Sequence, residues 1–354
     1  MKPEFVHLRV HSEFSLVDGI VKIKPLVKRL ADFNMPAVAI TEQSNLFSLV
    51  KFYRATQGQG IKGIVGADVL VFNPEEPTSP FRLTLLALNQ QGYITLTELI
   101  SIAYQEGQHL DVPMLKKQWI EENNQGLIAL SGAMDGDIGI DLLADKVTEA
   151  EQKSSYWSGI FEQGFYLEIQ RVGKRDEERY IKAAVDLAVK MDLPVVATND
   201  VRFIDATDFD SHEVRVCINQ GRILDDSRRP KDYTNQQYLR STEEMQALFA
   251  DIPEALENTV EIAKRCNVVL SLGKNYLPDF PVPEGMTLDE VFIEESRKGL
   301  EERLKQYPPV GSGTDEENKQ VYLDRLEIEL GVITQMGFPG YFMIVADFII
   351  WAKE

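Results

Sequence analysis

Apolar and polar residues alternate in blocks along about the first 200 residues of the chain. The apolar blocks are short, rich in β-branched residues and separated by polar turns or amphipathic stretches, which is typical of buried strands. The pattern predicts seven strands. They are FVHLRV (5–10), PAVAIT (36–41), GIVGADVLVF (63–72), RLTLLAL (82–88), GLIALSG (126–132), FYLEIQ (165–170) and PVVATNDV (194–201).

Helical spacing of apolar residues is clearest between these strands at residues 23–34 and 177–192. A strand–helix–strand alternation predicts parallel strands joined by right-handed crossovers. The chain has no GxxxxGK[ST] motif, and its GxGxxG match, GQGIKG (58–63), comes before a predicted strand and not after one, as a phosphate loop would. The repeat therefore favours an α/β fold with a distorted (β/α)7 barrel of the TIM type over a dinucleotide-binding fold.

From about residue 205 the pattern changes to helices and loops. A serine, threonine or aspartate followed three residues later by glutamate is the spacing of a capping box, which predicts a helix start. This spacing occurs at Ser241 and Glu244, at Asp251 and Glu254, and at Thr287 and Glu290.

A stretch rich in proline and glycine at residues 272–287 predicts a linker between two domains. We expect a barrel domain over residues 1–275 and an α-rich domain over residues 276–354. The chain stops inside GYFMIVADFIIWAKE, an apolar helical pattern without a glycine cap or polar tail. We therefore expect the second domain to be incomplete.

Composition narrows the possible classes of function. The 37 basic and 56 acidic residues give a formal net charge of −19, the opposite of the balance in a free-standing DNA-binding domain. Cys217 and Cys266 have no CxxC spacing and are predicted to be reduced and buried. Neither a signal-peptide pattern nor a run of about 20 apolar residues is present, so we expect a cytoplasmic protein without a membrane span.

Polar residues cluster at the predicted strand ends. In a parallel barrel the carboxyl ends of the strands meet at one mouth, where catalytic and metal sites are built. Alternate residues of the first strand share a face, so His7, Arg9 and His11 are predicted to lie side by side. We expect the mouth to gather Arg9, His11, Asp18, Glu42, Gln43, Asp68, Arg82, Ala133, Asp200 and Arg202.

Several long motifs carry a family resemblance. They are HLRVHSEFSLVDG, MPAVAITEQSNLFSLVKFY, IKGIVGADVLV, PVVATNDVRFI, FADIPEALENTVEIAKRCNV and QMGFPGYFMIVADFI. The chain resembles the catalytic α subunits of bacterial replicative DNA polymerase III. The resemblance implies a PHP (polymerase and histidinol phosphatase) domain over residues 1–275, followed from about residue 280 by the first part of the polymerase palm.

The same resemblance implies a function and its cofactor. The full-length protein would be the DNA-directed DNA polymerase, a nucleotidyltransferase, that replicates the bacterial chromosome with Mg²⁺ held by palm carboxylates. Those carboxylates are expected beyond residue 354. We therefore expect this chain alone to have no catalytic residues, no cofactor and no polymerase activity, and to bind DNA weakly.

The predicted site departs from the metal-binding pattern of PHP domains. Only His11, Asp18, Asp200 and, less well, Asp68 keep the chemistry of a ligand. Arg9, Arg82 and Arg202 replace histidines, Glu42 and Gln43 replace an aspartate–histidine pair, Asp68 replaces a glutamate, and Ala133 replaces a cysteine or histidine.

An arginine is always charged and has no lone pair for a metal ion. Without metal ions, clustered carboxylates in a partly desolvated mouth would repel one another. We therefore expect guanidinium groups to replace the lost cations and no metal to bind. The expected pairs join Arg9, Arg82 or Arg202 to Asp18, Asp68, Asp200 or Glu42.

Two functions from different classes stay open for the barrel. It is expected to be a degraded, non-catalytic scaffold that supports the polymerase and docks the proofreading exonuclease subunit, beside other subunits of the polymerase III holoenzyme. The alternative is a metal-dependent phosphoesterase, acting as a 3′–5′ exonuclease or pyrophosphatase. For the three arginines, unrelated surface charge and phosphate binding are the alternatives to carboxylate pairing. His7 is expected to be structural.

Overall fold

The computed structural model describes residues 4–162, 164–274, 278–309 and 311–353. The chain divides into two compact units, Met1–Leu270 and Ser271–Glu354. The predicted domain boundary between residues 275 and 276 lies outside the described residues and stays a prediction.

Strands of the first unit build one main sheet and one small hairpin. They are β1 (Ala37–Gln43), β2 (Lys62–Val71), β3 (Phe81–Ala87), β4 (Gln108–His109), β5 (Val112–Pro113), β6 (Leu127–Leu130), β7 (Phe165–Gln170) and β8 (Val195–Thr198). The main sheet has the order β1–β2–β3–β6–β7–β8, and β4 pairs with β5. Six of the seven predicted strands are therefore confirmed, and the β4–β5 hairpin was not predicted.

The first predicted strand, residues 5–10, makes isolated bridges instead of a continuous ladder. His7 bridges to Val38 of β1, and Val10 bridges to Val201, just past β8. Matching hydrogen bonds run from the Ala39 amide to the His7 carbonyl (2.8 Å) and from the His11 amide to the Val201 carbonyl (2.9 Å). The N-terminal segment thus links the two edges of the sheet, which makes the α/β fold a distorted barrel.

The prediction that all strands run parallel is wrong for β3. The pairs β1–β2, β6–β7 and β7–β8 are parallel, whereas β3 is antiparallel to both β2 and β6. Residues 72–80 between β2 and β3 contain no helix, so the chain turns back without the crossover that a parallel strand requires. The start of β3 therefore lies at the end of the barrel where the parallel strands finish, and Arg82 pairs with Leu70 in that register.

Helices surround this sheet, with their apolar faces on its core. The predicted helices at 23–34 and 177–192 are confirmed as α1 and α7. The helices of the first unit are α1 (Ile23–Asp32), α2 (Leu49–Gly58), α3 (Gln90–Glu106), α4 (Lys117–Glu122), α5 (Asp137–Leu143), α6 (Val147–Ile160), α7 (Glu177–Met191), α8 (Phe209–Gln220), α9 (Thr242–Leu248) and α10 (Pro253–Arg265). Cys217 and Cys266 are free and buried, as predicted.

Capping boxes were predicted correctly at two of three positions. Ser241 caps α9 in a capping box with Glu244, as its spacing predicts. The predicted box at Asp251 and Glu254 is wrong, because α10 begins at Pro253 and its N-cap residue makes no side-chain bond. The Asp251 carboxylate is instead held by the Arg171 guanidinium at 2.6 and 2.8 Å.

The second unit consists of α11 (Leu288–Gln306), α12 (Asp315–Gln335) and α13 (Pro339–Lys353). The predicted capping box at Thr287 and Glu290 is confirmed at the start of α11. Among the described helices, none alone has both the length and the apolar character to cross a bilayer, and α12 with α13 meets those criteria only as a pair bent by 116°.

Candidate functional site

Eight charged or titratable side chains meet at the barrel mouth, and we call them the ion-pair cluster. They come from the N-terminal segment, β2, β3, β7 and the residues after β8, so elements far apart in sequence each contribute. All but one are almost fully buried, the exception being Arg82, whose side chain is 20% exposed. The members are Arg9, His11, Asp18, Asp68, Arg82, Glu168, Asp200 and Arg202.

Arg9 lies at the centre of the cluster and contacts three carboxylates. Its Nη2 donates to Asp68 Oδ2 at 2.7 Å, and its Nη1 donates to Glu168 Oε1 at 3.2 Å. Its Nε lies 3.2 Å from Asp200 Oδ1. A forked, permanently charged guanidinium can bind several carboxylates at once, which a neutral histidine cannot do.

Arg202 and Arg82 complete the positive side of the cluster. Arg202 donates to Asp18 Oδ2 at 2.5 Å and to Asp200 Oδ1 at 2.6 Å. Arg82 donates to Asp68 Oδ2 at 3.1 Å. Each of the three arginines therefore pairs with aspartates of the predicted set, and none of them is an isolated surface charge.

These pairs set the protonation of the aspartates. Burial alone would raise the pKa of Asp200, but the Arg202 and Arg9 guanidinium groups outweigh it and hold that pKa well below its usual range. The pKa of Asp68 is lowered in the same way, chiefly by Arg9, and that of Asp18 chiefly by Arg202. The three aspartates are consequently ionised in the folded protein at neutral pH.

His11 joins two of these carboxylates. Its Nδ1 lies 3.0 Å from Asp18 Oδ1, and its Nε2 lies 3.1 Å from Asp68 Oδ2. Ser15 Oγ is 2.8 Å from the same Nδ1. Both ring nitrogens of His11 thus face protein groups.

His11, Asp68 and Asp200 are the described residues with the best arrangement for a metal ion, because their ligand atoms lie within 4.8 Å of one another. The cluster nevertheless does not fit a divalent cation. Asp68 Oδ2 already accepts hydrogen bonds from Arg9 and Arg82, and Asp200 Oδ1 accepts one from Arg202. A metal ion at this position would lie beside fixed positive charges and compete with them for the same oxygens.

Three predicted site residues lie outside the cluster. Glu42 is buried but contacts no arginine among the described pairs; it accepts hydrogen bonds from the Ser12 hydroxyl and from the Ser48 amide (3.1 Å). Gln43 lines the cavity at the mouth. Ala133 is buried and has a positive φ of 50° in the turn after β6.

His7 is not part of the cluster either, although it was predicted to lie beside Arg9 and His11. Its Nε2 lies 2.9 Å from the Arg240 carbonyl, and its ring meets Phe5 edge-on. Complete burial lowers the pKa of His7 to about 4, so the imidazole is neutral at neutral pH. These contacts agree with a structural histidine.

Glu168 is the member of the cluster that sequence reasoning missed. Besides Arg9, its carboxylate accepts hydrogen bonds from Gln170 Nε2 (2.9 Å) and from the Gly132 amide (3.1 Å). The second bond fixes the turn that carries Ala133. The signal was present in FYLEIQ, where a single carboxylate lies within a strand that is buried along its whole length.

Comparisons with known proteins agree with this architecture. Residues 7–172 match the PHP domain family, and residues 290–354 match the bacterial DNA polymerase III alpha NTPase domain family. DNA polymerase III subunit alpha of Pseudomonas fluorescens is 54% identical over 356 residues, and that of Escherichia coli K12 is 51% identical over 357 residues. Each match covers 100% of this chain but 30% of the relative, so the chain spans less than a third of the length of these relatives.

Solved structures give more distant likenesses. An amidohydrolase from Chromobacterium violaceum aligns with a TM-score of 0.38 and 14% identity, covering 56% of this chain and 87% of the other. A two-domain protein from Bacteroides vulgatus, described as containing a predicted PHP-like metal-dependent phosphoesterase, aligns with a TM-score of 0.38 and 12% identity, covering 77% of this chain and 72% of the other. Over its whole length, the chain is similar to the N-terminal region of bacterial DNA polymerase III alpha subunits.

Proposed function

We propose that the chain is the N-terminal part of the DNA-directed DNA polymerase that replicates the bacterial chromosome, and that its barrel is a scaffold without catalytic activity. The identity of 54% to a polymerase III alpha subunit over the full chain supports the first part. The polymerase would use Mg²⁺ on palm carboxylates, and residues 280–354 contain no D-x-D pattern that could supply them.

A single observation carries the scaffold proposal: guanidinium groups hold the carboxylates at the barrel mouth. Hydrolysis of a phosphoester by a PHP-type centre depends on metal ions that activate water and neutralise developing charge. Arginines supply charge but cannot activate a bound water as a metal ion does. The buried cluster instead joins distant segments of the barrel, which suits a rigid support.

The scaffold would also be a site of subunit docking. The relatives are named as subunits, which supports membership of a multi-subunit assembly. We propose that the barrel docks a separate proofreading exonuclease subunit and that other holoenzyme subunits bind the full-length protein. Since a degraded centre supplies no exonuclease of its own, proofreading would come from such a partner. The assembly would act in the cytoplasm, on the chromosome.

A metal-dependent phosphoesterase is the second candidate, and the group of His11, Asp68 and Asp200 favours it. One experiment separates the two functions. The protein is dialysed with Zn²⁺ or Mn²⁺, freed of unbound metal, and analysed for metal content and for hydrolysis of a 3′-labelled single strand, of p-nitrophenyl phosphate and of pyrophosphate. A matched sample of Asp200→Asn provides the control for binding at the cluster.

The scaffold proposal predicts metal content far below one ion per chain and hydrolysis equal to the buffer control. Stoichiometric metal that disappears in Asp200→Asn, together with metal-dependent hydrolysis, would establish the phosphoesterase instead.

A further inference from the structure

Segment 222–237, which follows α8, crosses the barrel mouth and contacts the ion-pair cluster directly. Tyr233 Oη donates to Asp18 Oδ2 at 2.9 Å, and Gln237 Nε2 donates to Asp200 Oδ2 at 2.6 Å. Arg202 binds the same two carboxylates from within the barrel. The segment is therefore attached to the barrel through the charges of the cluster itself.

The Tyr233 ring adds packing to this attachment. Its centroid lies 5.7 Å from the Arg202 guanidinium carbon, and it meets the His212 ring edge-on at 4.8 Å. His212 is held in turn by its Nε2, 2.9 Å from the Asp18 carbonyl. The ring thus covers the guanidinium that neutralises Asp18 and Asp200.

The segment also forms one wall of a cavity of about 1000 Å³ at the mouth. Lys231, Asp232, Tyr233 and Thr234 line it from the segment. The barrel lines the cavity with Gln43, Leu70, Arg82, Met134, Lys174 and Asp200. Movement of the segment would therefore change access to the exposed part of Arg82 without any movement of the sheet.

Between residues 222 and 232 few other contacts hold the segment down, whereas its end is bonded to the barrel: the Thr234 hydroxyl donates to the Val172 carbonyl, and the Gln237 carbonyl accepts from the Arg202 amide at 2.8 Å. Arg229 binds the Glu213 carboxylate and donates through Nε to the Leu224 carbonyl at 3.2 Å. Residues 222–237 contain no helix or strand, and most of their side chains up to Asp232 are exposed. A segment with few buried contacts opens at lower cost than the barrel unfolds.

We propose that segment 222–237 is a cover, latched to the ion-pair cluster by Tyr233 and Gln237, and that the mouth cavity opens by release of this cover while the barrel stays folded. The arginines then have a second role beside replacing cations: they keep Asp18 and Asp200 ionised as acceptors for the latch.

Trypsin cleavage and hydrogen exchange of the whole chain test the latch. Arg222, Arg228 and Lys231 supply trypsin sites within the cover. Tyr233→Phe keeps the ring but removes the hydrogen bond to Asp18. Because a hydrogen bond to a charged acceptor stabilises by about 1.5–3 kcal/mol, cleavage in the cover should accelerate about tenfold or more. Exchange by mass spectrometry should rise over 222–237 and stay unchanged in β2 and β7.

Tyr238→Phe is the matched control, since the Tyr238 hydroxyl donates to Glu244 at 2.6 Å, outside the cluster. It should be cleaved at the wild-type rate, whereas Gln237→Met should act like Tyr233→Phe. Cleavage of Tyr233→Phe at the wild-type rate would overturn the proposal. Equal increases of exchange in the cover and in β2 and β7, or failure of Tyr233→Phe to fold, would also overturn it, because both would make Tyr233 part of the barrel's own stability.

Discussion

Arg9 Nη2 donates to Asp68 Oδ2 at 2.7 Å, and the side chains of both residues are 1% exposed. This bond joins the N-terminal segment to β2 at the barrel mouth. The same guanidinium also contacts Glu168 on β7 and Asp200 after β8. One buried cation therefore connects four separate parts of the chain, and three carboxylates share its positive charge.

Replacing Arg9 by methionine should destabilise the protein strongly. The change keeps an apolar stem but leaves three buried carboxylates without their shared cation, at a cost of about 3–5 kcal/mol. Urea unfolding monitored by circular dichroism measures the difference. Arg29→Met is the matched control, since Arg29 pairs with Asp205 at the surface and should cost about 0–1 kcal/mol. Equal losses in the two variants would refute a central role for Arg9.

Acid should destabilise the barrel through the aspartates of the cluster. The pKa values of Asp18, Asp68 and Asp200 are depressed in the folded state, so the unfolded chain binds protons first as the pH falls. Their contribution to the free energy of unfolding is complete above their usual pKa of about 4 and is lost progressively below it. Unfolding measured between neutral pH and pH 2 should show this loss, and Asp200→Asn should show a weaker dependence. An unchanged slope in Asp200→Asn would contradict the pairing.

His7 should give the stability of the protein a second pH dependence, in a different pH range. Its folded pKa of about 4 lies below the usual value of about 6.5, so the unfolded state binds the proton first between these limits. Stability should fall by up to about 3 kcal/mol as the pH drops from about 6.5 to about 4. His7→Asn should lose this part of the dependence, and His109→Asn, a change at a half-buried histidine, should keep it. Proton NMR titration of the His7 ring gives an independent check.

This chain alone should neither extend a primer nor bind duplex DNA tightly. The expectation rests on the absence of a D-x-D pattern from residues 280–354 and on the net charge of −19, which opposes binding to a phosphate backbone. A primer-extension assay with Mg²⁺ and four deoxynucleotides, together with a gel shift at physiological salt, measures both properties. Template-dependent extension or submicromolar affinity would contradict the prediction.

Much of the barrel was predictable because apolar runs and helical spacing are local signals. The runs at 36–41, 63–72 and 165–170 became β1, β2 and β7 with small shifts at their ends. The direction of β3 was not predictable from its own residues, because an apolar run does not indicate whether its strand is parallel or antiparallel to its neighbours. The connection before Phe81, which contains no helix, indicates that β3 is antiparallel to β2.

Residues of the site that lie at strand ends could be predicted from the sequence. The family resemblance and the strand ends together pointed to Arg9, Arg82 and Arg202. Tyr233 and Gln237 were missed because they belong to an irregular segment, whose pairing with Asp18 and Asp200 depends on tertiary structure. Glu42 was included because it ends a strand, yet its carboxylate turns to Ser12 and Ser48.

We propose that guanidinium groups, and not metal ions, neutralise the carboxylates at the barrel mouth. The most direct measurement is anomalous scattering from crystals of the protein soaked with Zn²⁺ or Mn²⁺, with data collected on both sides of the metal absorption edge. No anomalous peak is expected near His11, Asp68 and Asp200, and Arg9 and Arg202 should still bind the carboxylates. A peak at full occupancy coordinated by these three residues, with the arginines displaced, would contradict it.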